Sequence, residues 1–160
     1  VQQLTFNDRE DLTPSWSPDS QQLVYYVKRT EEENDTSELY ALNVYGGGAP
    51  TRLTDNLWFD QWPDWSPDGT QLIFSSAQGL EDRQRTLFLY DVLDGSISQL
   101  TDALVHDDDP VWSPDGTRIA YDSNQDGDSN YDLFIYDIEA GTVTQLTTEA
   151  ANDVAPAWQP

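Results

Sequence analysis

The chain has 160 residues, with 30 Asp and Glu against 7 Lys and Arg, a formal net charge of −23, and no cysteine. One domain of this length can bury a real core, but so negative a surface repels phosphate backbones and anionic lipid heads, which argues against nucleic-acid binding and membrane insertion. No disulfide framework exists, and no apolar run reaches membrane-spanning length. The plainest reading of the charge is a hydrated surface, in ordinary solution or in high salt. No signal-type segment opens the chain, and a start at Val1 rather than Met suggests a processed or excised chain, an expectation that leaves room for a signal removed earlier.

In chain order, "QQLT" ends a strand at Leu4-Thr5, and a brief strand is predicted around Trp16. Ser17-Pro18-Asp19-Ser20 then makes a turn, in which proline presets φ and Asp bonds back to the backbone. An apolar strand follows at Leu23–Val27 and another begins at Leu39 ("LYALN"), before a glycine turn at Gly46–Gly48 and a strand ending in Leu53-Thr54. The pattern then returns. Trp16, Trp65, Trp112 and Trp158 are separated by 49, 47 and 46 residues, and so are Leu4, Leu53, Leu100 and Leu146, each followed by Thr. Ser66-Pro67-Asp68-Gly69 and Ser113-Pro114-Asp115-Gly116 repeat the turn, and "LFLYD" from Leu87 and "LFIYD" from Leu133 repeat the third strand.

Two landmarks moving together define a repeated unit of four strands. The third strand is apolar at consecutive positions, so both its faces must be covered. A unit of about 46 residues with these properties is a propeller blade, and an all-β sandwich has no need of the period. The predicted class is therefore all-β, a β-propeller segment of three four-stranded antiparallel blades. The repeats run approximately over 6–54, 55–101 and 102–147, with partial strands at 1–5 and 148–160. Three blades make an arc with apolar end faces. Closure into a six-bladed ring by a second copy and excision from a longer propeller are the two expectations.

The pattern P-x-W-S-P-D-G, an apolar strand, L-(F/Y)-x-(Y/x)-D and then L-T resembles the TolB-type, WD-like propeller repeat over essentially the whole chain. The resemblance implies four-stranded blades around a central channel, a binding or scaffolding role, and a periplasmic or extracellular location. It also implies an alternative, since similar blades form the gating propellers of prolyl-oligopeptidase-like serine peptidases. Trp16, Trp65 and Trp112, with Asp19, Asp68 and Asp115 of the turns, are expected to be structural. Trp58 and Trp62 fall outside the repeat, in the connection from Asp55 to Pro63, and with His106 they are candidates for an exposed binding rim.

Chemistry is sparse. A single histidine, no cysteine and no G-x-S-x-G elbow leave nothing to build nucleophilic catalysis on, and no enzyme activity or cofactor is expected. Calcium is considered at two places. Asp11, Asp60, Asp107 and Asp153 each stand three residues before a repeat proline, where several carboxylates in a ring would share a cation; the local reading is that each accepts backbone N–H bonds as an Asx turn does. In "NQDGDSNYD", Asp126, Asp128 and Asp132 alternate with other residues, but Ile135 stands where a calcium loop has its bidentate Glu, and a solvated hairpin loop is the plainer reading. The expected partners are a protein or peptide and a second copy of the chain.

Overall fold

The computed structural model describes residues 2–28, 36–77, 84–102, 105–125 and 130–159, all of them strands, turns and connections. Twelve strands form three blades. The first contains β1 (Glu10–Trp16), β2 (Gln22–Lys28), β3 (Ser37–Asn43) and β4 (Thr51–Arg52). β5 (Phe59–Trp65), β6 (Gln71–Ala77), β7 (Arg85–Asp91) and β8 (Ile97–Gln99) make the second. The third contains β9 (Asp107–Trp112), β10 (Arg118–Ser123), β11 (Asp132–Asp137) and β12 (Thr142–Gln145). Every pairing within a blade is antiparallel, and one parallel bridge, Ser37 with Phe59, joins the first blade to the second.

The repeated sequence features each have a physical job. The serine of each turn ties it shut: Ser66 donates to Asp68 at 2.7 Å and accepts the Gln71 N–H at 2.9 Å, and Ser113 does the same with Asp115 and Arg118 at 2.6 and 2.9 Å. The residue after the aspartate has φ of 58° at Ser20, 73° at Gly69 and 70° at Gly116, a conformation open to glycine at little cost and tolerated here by serine. The Leu-Thr pair works on two sides. Leu53 and Leu100 pack in the seams between blades, while the threonine hydroxyl accepts a third-strand N–H, Thr54 from Leu39, Thr101 from Leu87 and Thr147 from Leu133, at 3.0, 3.0 and 2.9 Å.

The core lies between blades. Val24, Trp65 and Leu72 meet across the first seam, beside Tyr26, Leu39, Phe74 and Phe88. The second seam brings Ile73 and Leu87 against Trp112, Ile119, Tyr121 and Phe134. Each fully buried large apolar side chain contributes on the order of 1.5–3 kcal/mol. Trp65 and Trp112 are 8% and 7% exposed because each leans on the preceding blade, whereas Trp16, with no blade before it, is 49% exposed. Leu146 is likewise 54% exposed on the far face of the third blade.

Two expectations change. The first strand of each unit is six or seven residues long and ends at its tryptophan, rather than being brief and centred on it. Consequently Trp62 lies within β5, and the Asp55–Pro63 stretch is a connection only as far as Trp58. Both end faces are also partly covered. Leu4 packs beside Tyr25, Val27 and Leu42 on the first blade, and residues 151–158 lie along the third, with the Asp153 N–H on the Tyr131 carbonyl at 2.8 Å. That is the place of a next blade's first strand.

Candidate channel site

The innermost strands share a deformation. Thr13, Trp62, Asp109 and Ala155, each directly before a proline, have positive φ of 45°, 50°, 46° and 55°. In β1, β5 and β9 the pairing register shifts at this point, the mark of a β-bulge. Non-glycine residues in this conformation cost on the order of 1 kcal/mol or more each. Pro14, Pro63, Pro110 and Pro156, which follow these four residues, all line one cavity of about 480 Å³, together with Trp62, Asp64 and Asp109.

Asp64 bridges the strands around this cavity. It accepts the Ser15 hydroxyl from the first blade at 2.7 Å and the Trp112 N–H from the third at 2.9 Å. Burial pushes its carboxyl above the usual range, and these bonds oppose the shift. Asp109 differs. Burial and the neighbouring Asp108 charge push its carboxyl up, the Arg85 charge opposes them, and among the described residues no donor bonds to it.

Beside the cavity, side chains from several strands form a connected group. The Arg85 guanidinium lies over the Trp62 ring at 4.6 Å from its centroid, within cation–π range. Arg85 Nε is 3.5 Å from Asp108 Oδ1, His106 Nε2 is 2.8 Å from Asp108 Oδ2, and Ser75 of β6 donates to Asp108 at 2.9 Å. The His106 ring meets Tyr131 edge-on at 5.6 Å. Trp62 and His106, both predicted at a rim, are thus linked through Arg85 and Asp108. Trp58 is not part of the group: it packs into the first seam against Phe88, 6.0 Å between rings.

The repeated aspartates are spent elsewhere. Asp60 is fully buried, accepting the Ser76 hydroxyl at 2.5 Å and the Asn56 amide at 2.8 Å. Asp107, 1% exposed, accepts the Ser123 hydroxyl at 2.5 Å, with Thr101 of the preceding blade as a second donor. Desolvation raises both carboxyls, that of Asp107 to about 6. Asp11 accepts the Asn7 amide at 3.1 and 3.2 Å, and Asp153 sits in the terminal segment. These four do not converge. Among the described residues no three His, Cys, Asp or Glu side chains are placed to hold a metal ion. Asp132 is buried and bonded to Thr147 and Gln145 of its own blade, while Asp126 and Asp128 lie outside the described residues.

Sequence reasoning passed over Arg85, Asp64, Asp108, Asp109 and Asp122. Asp122 occupies the position of Tyr26 and Ser75 in the other blades, facing the next first strand, and accepts the Ala155 N–H at 3.3 Å. Burial pushes it to about 7, with the charges of Asp109 and Asp108 adding to the shift. The available signal was the residue before each repeat proline, which differs in every copy.

Comparison with known proteins agrees with this architecture. The family profile described as dipeptidyl peptidase IV (DPP IV) N-terminal region matches residues 81–158. TolB from Acinetobacter baumannii superposes with a TM-score of 0.76 at 28% identity, over 93% of this chain and 35% of that one. A TolB structure from Agrobacterium tumefaciens gives 0.70 at 24%, over 85% and 48%. A puromycin-hydrolyzing peptidase of Mycobacterium tuberculosis gives 0.73 at 16%, over 94% and 24%, a likeness of fold alone. No curated protein matches the sequence. The chain has the fold of TolB-like propeller blades, and it spans less than half the length of either TolB structure.

Proposed function

We propose that this propeller segment is a non-catalytic binding module that receives a protein or peptide partner at its channel, in the periplasm or outside the cell. The single observation carrying the reading is the channel wall. Four positive-φ residues before prolines, three of them at β-bulges, shape a cavity of about 480 Å³, within the size range of ligand sites, and backbone held this way is costly unless it serves a shape. Tryptophan and proline walls suit an extended segment, which contributes its own apolar side chains and needs few ordered partners. Asp108, the acid paired with His106 Nε2, is itself engaged by Arg85 and Ser75, an arrangement suited to holding position rather than moving protons.

The test is selection of binders from a random-peptide library on the full chain, followed by titration against Trp62→Ala. Selected peptides are expected to weaken at least about tenfold with that variant, as loss of an aromatic anchor does. Peptides that bind it unchanged are not held at the channel, and turnover of ester or peptide substrates by the purified chain would end the non-catalytic reading. A second reading, the gating propeller of a serine peptidase, is favoured by the match to the dipeptidyl peptidase IV N-terminal region. A hydrolase domain encoded in the same reading frame would establish that alternative.

A further inference from the structure

Resting on the channel as the binding site, the chemistry of its wall narrows the ligand. Of the ionisable groups lining the cavity, Asp64 and Asp109 are both acids, and no described lining residue is a cation. Asp64 has already placed its two oxygens on Ser15 and Trp112. Asp109 has not: it makes no hydrogen bond among the described residues, although it is half-buried against proline and valine walls. A carboxylate withdrawn from water without a donor is unfavourable, and a ligand that brings a donor and a positive charge removes that cost. Arg85 supplies charge from nearby but no hydrogen bond to Asp109, because its guanidinium lies over the Trp62 ring with Nε toward Asp108. Its place over Trp62 shows instead that this indole accepts a cation at 4.6 Å. The rest of the chain acts in the same direction, since a net charge of −23 draws cations toward a low-dielectric cavity.

We infer that the channel selects a segment carrying a basic side chain, whose guanidinium or ammonium group pairs with Asp109 beside Trp62 while its apolar stem lies along Pro63 and Pro110. Asp109 holds this position because its left-handed bulge turns it onto the cavity, where Thr13 and Ala155 occupy the equivalent places in other copies. Those neighbours carry no charge, so Asp109 is the one acid among the four described positive-φ residues that precede the prolines of the cavity.

The test compares two capped tripeptides, proline-arginine-proline and proline-citrulline-proline, which match in shape and differ in charge, by calorimetric or NMR titration of the full chain at low salt. The arginine peptide is expected to bind about tenfold tighter than the citrulline peptide, with an advantage that shrinks as salt is added. Asp109→Asn is expected to remove that advantage and leave citrulline binding as it was. Equal affinity of the two peptides for the wild-type chain overturns the charge selection while leaving the channel as a binding site. Failure of both to bind at millimolar concentration overturns the inference together with the reading beneath it. Because the peptide comparison is made on wild type, the result does not depend on the variant folding.

Discussion

Asp64 accepts the Trp112 N–H at 2.9 Å across the seam between the second and third blades. With the Ser15 hydroxyl on its other oxygen at 2.7 Å, one side chain ties three innermost strands together. Replacing it by alanine leaves a backbone donor and a hydroxyl without their acceptor, a loss of roughly 1–3 kcal/mol. Urea unfolding of Asp64→Ala should show that loss, with Ser15→Ala costing less. A change within about 0.5 kcal/mol, the range of ordinary surface substitutions, would mean the three strands do not depend on this carboxylate.

The tryptophans separate by position. Trp65→Ala opens a cavity in the first seam and is expected to cost about 3–5 kcal/mol, whereas Trp16→Ala, at a half-exposed indole, should cost far less. Thermal melts of the two variants measure the difference. Comparable losses would show that Trp16 is buried in solution by another blade or another copy.

Stability should depend on pH in an unusual direction. The carboxyls of Asp107, at about 6, and Asp122, at about 7, are raised by burial above the ordinary 3.8 they regain on unfolding. Between about pH 4 and 7 the folded chain therefore binds more protons than the unfolded one, and its stability falls as pH rises through that window. The turn aspartates act oppositely at lower pH. Serine and threonine hydrogen bonds hold Asp115 at about 2 and Asp68 below its usual value, so their contribution is lost only on strong acidification. The melting temperature should be higher at pH 5 than at pH 8, and Asp122→Asn should flatten the upper part of that slope. A wild-type melting temperature that rises from pH 5 to 8 would contradict this account.

Salt should stabilise the chain. With a net charge of −23, self-repulsion is relieved once screening acts over about 8 Å, near physiological ionic strength. Melting scans from dilute buffer to molar sodium chloride are expected to rise. A flat or falling series would show that the acidic surface does not burden the fold.

The blades were legible in the sequence because turn, strand and Leu-Thr chemistry recur in every copy, as in Ser66-Pro67-Asp68-Gly69. The site was less legible because its parts do not recur. The β7 position of Arg85 is Ser37 in the first blade and Tyr131 in the third, and the bulge position of Trp62 is Thr13, Asp109 or Ala155 elsewhere. The repeated aspartate misled in another way. Its partners were in plain view, a threonine six residues earlier and, in two copies, a serine sixteen later, as with Thr101, Asp107 and Ser123. Only the folded chain shows the carboxylates of Asp60 and Asp107 buried between those two hydroxyls.

Those short separations bear on how the chain is made. Each blade is tied by groups that leave the ribosome soon after one another: the Leu87 N–H waits fourteen residues for the Thr101 hydroxyl, and Asp107 waits sixteen for Ser123. The first strand of the following blade comes next, as residues 151–158 do along the third blade. An apolar sheet face is therefore bare only for the seconds that translation needs to deliver its cover. Blades can then assemble in the order they are synthesised, with little unpaired strand edge offered to neighbouring chains.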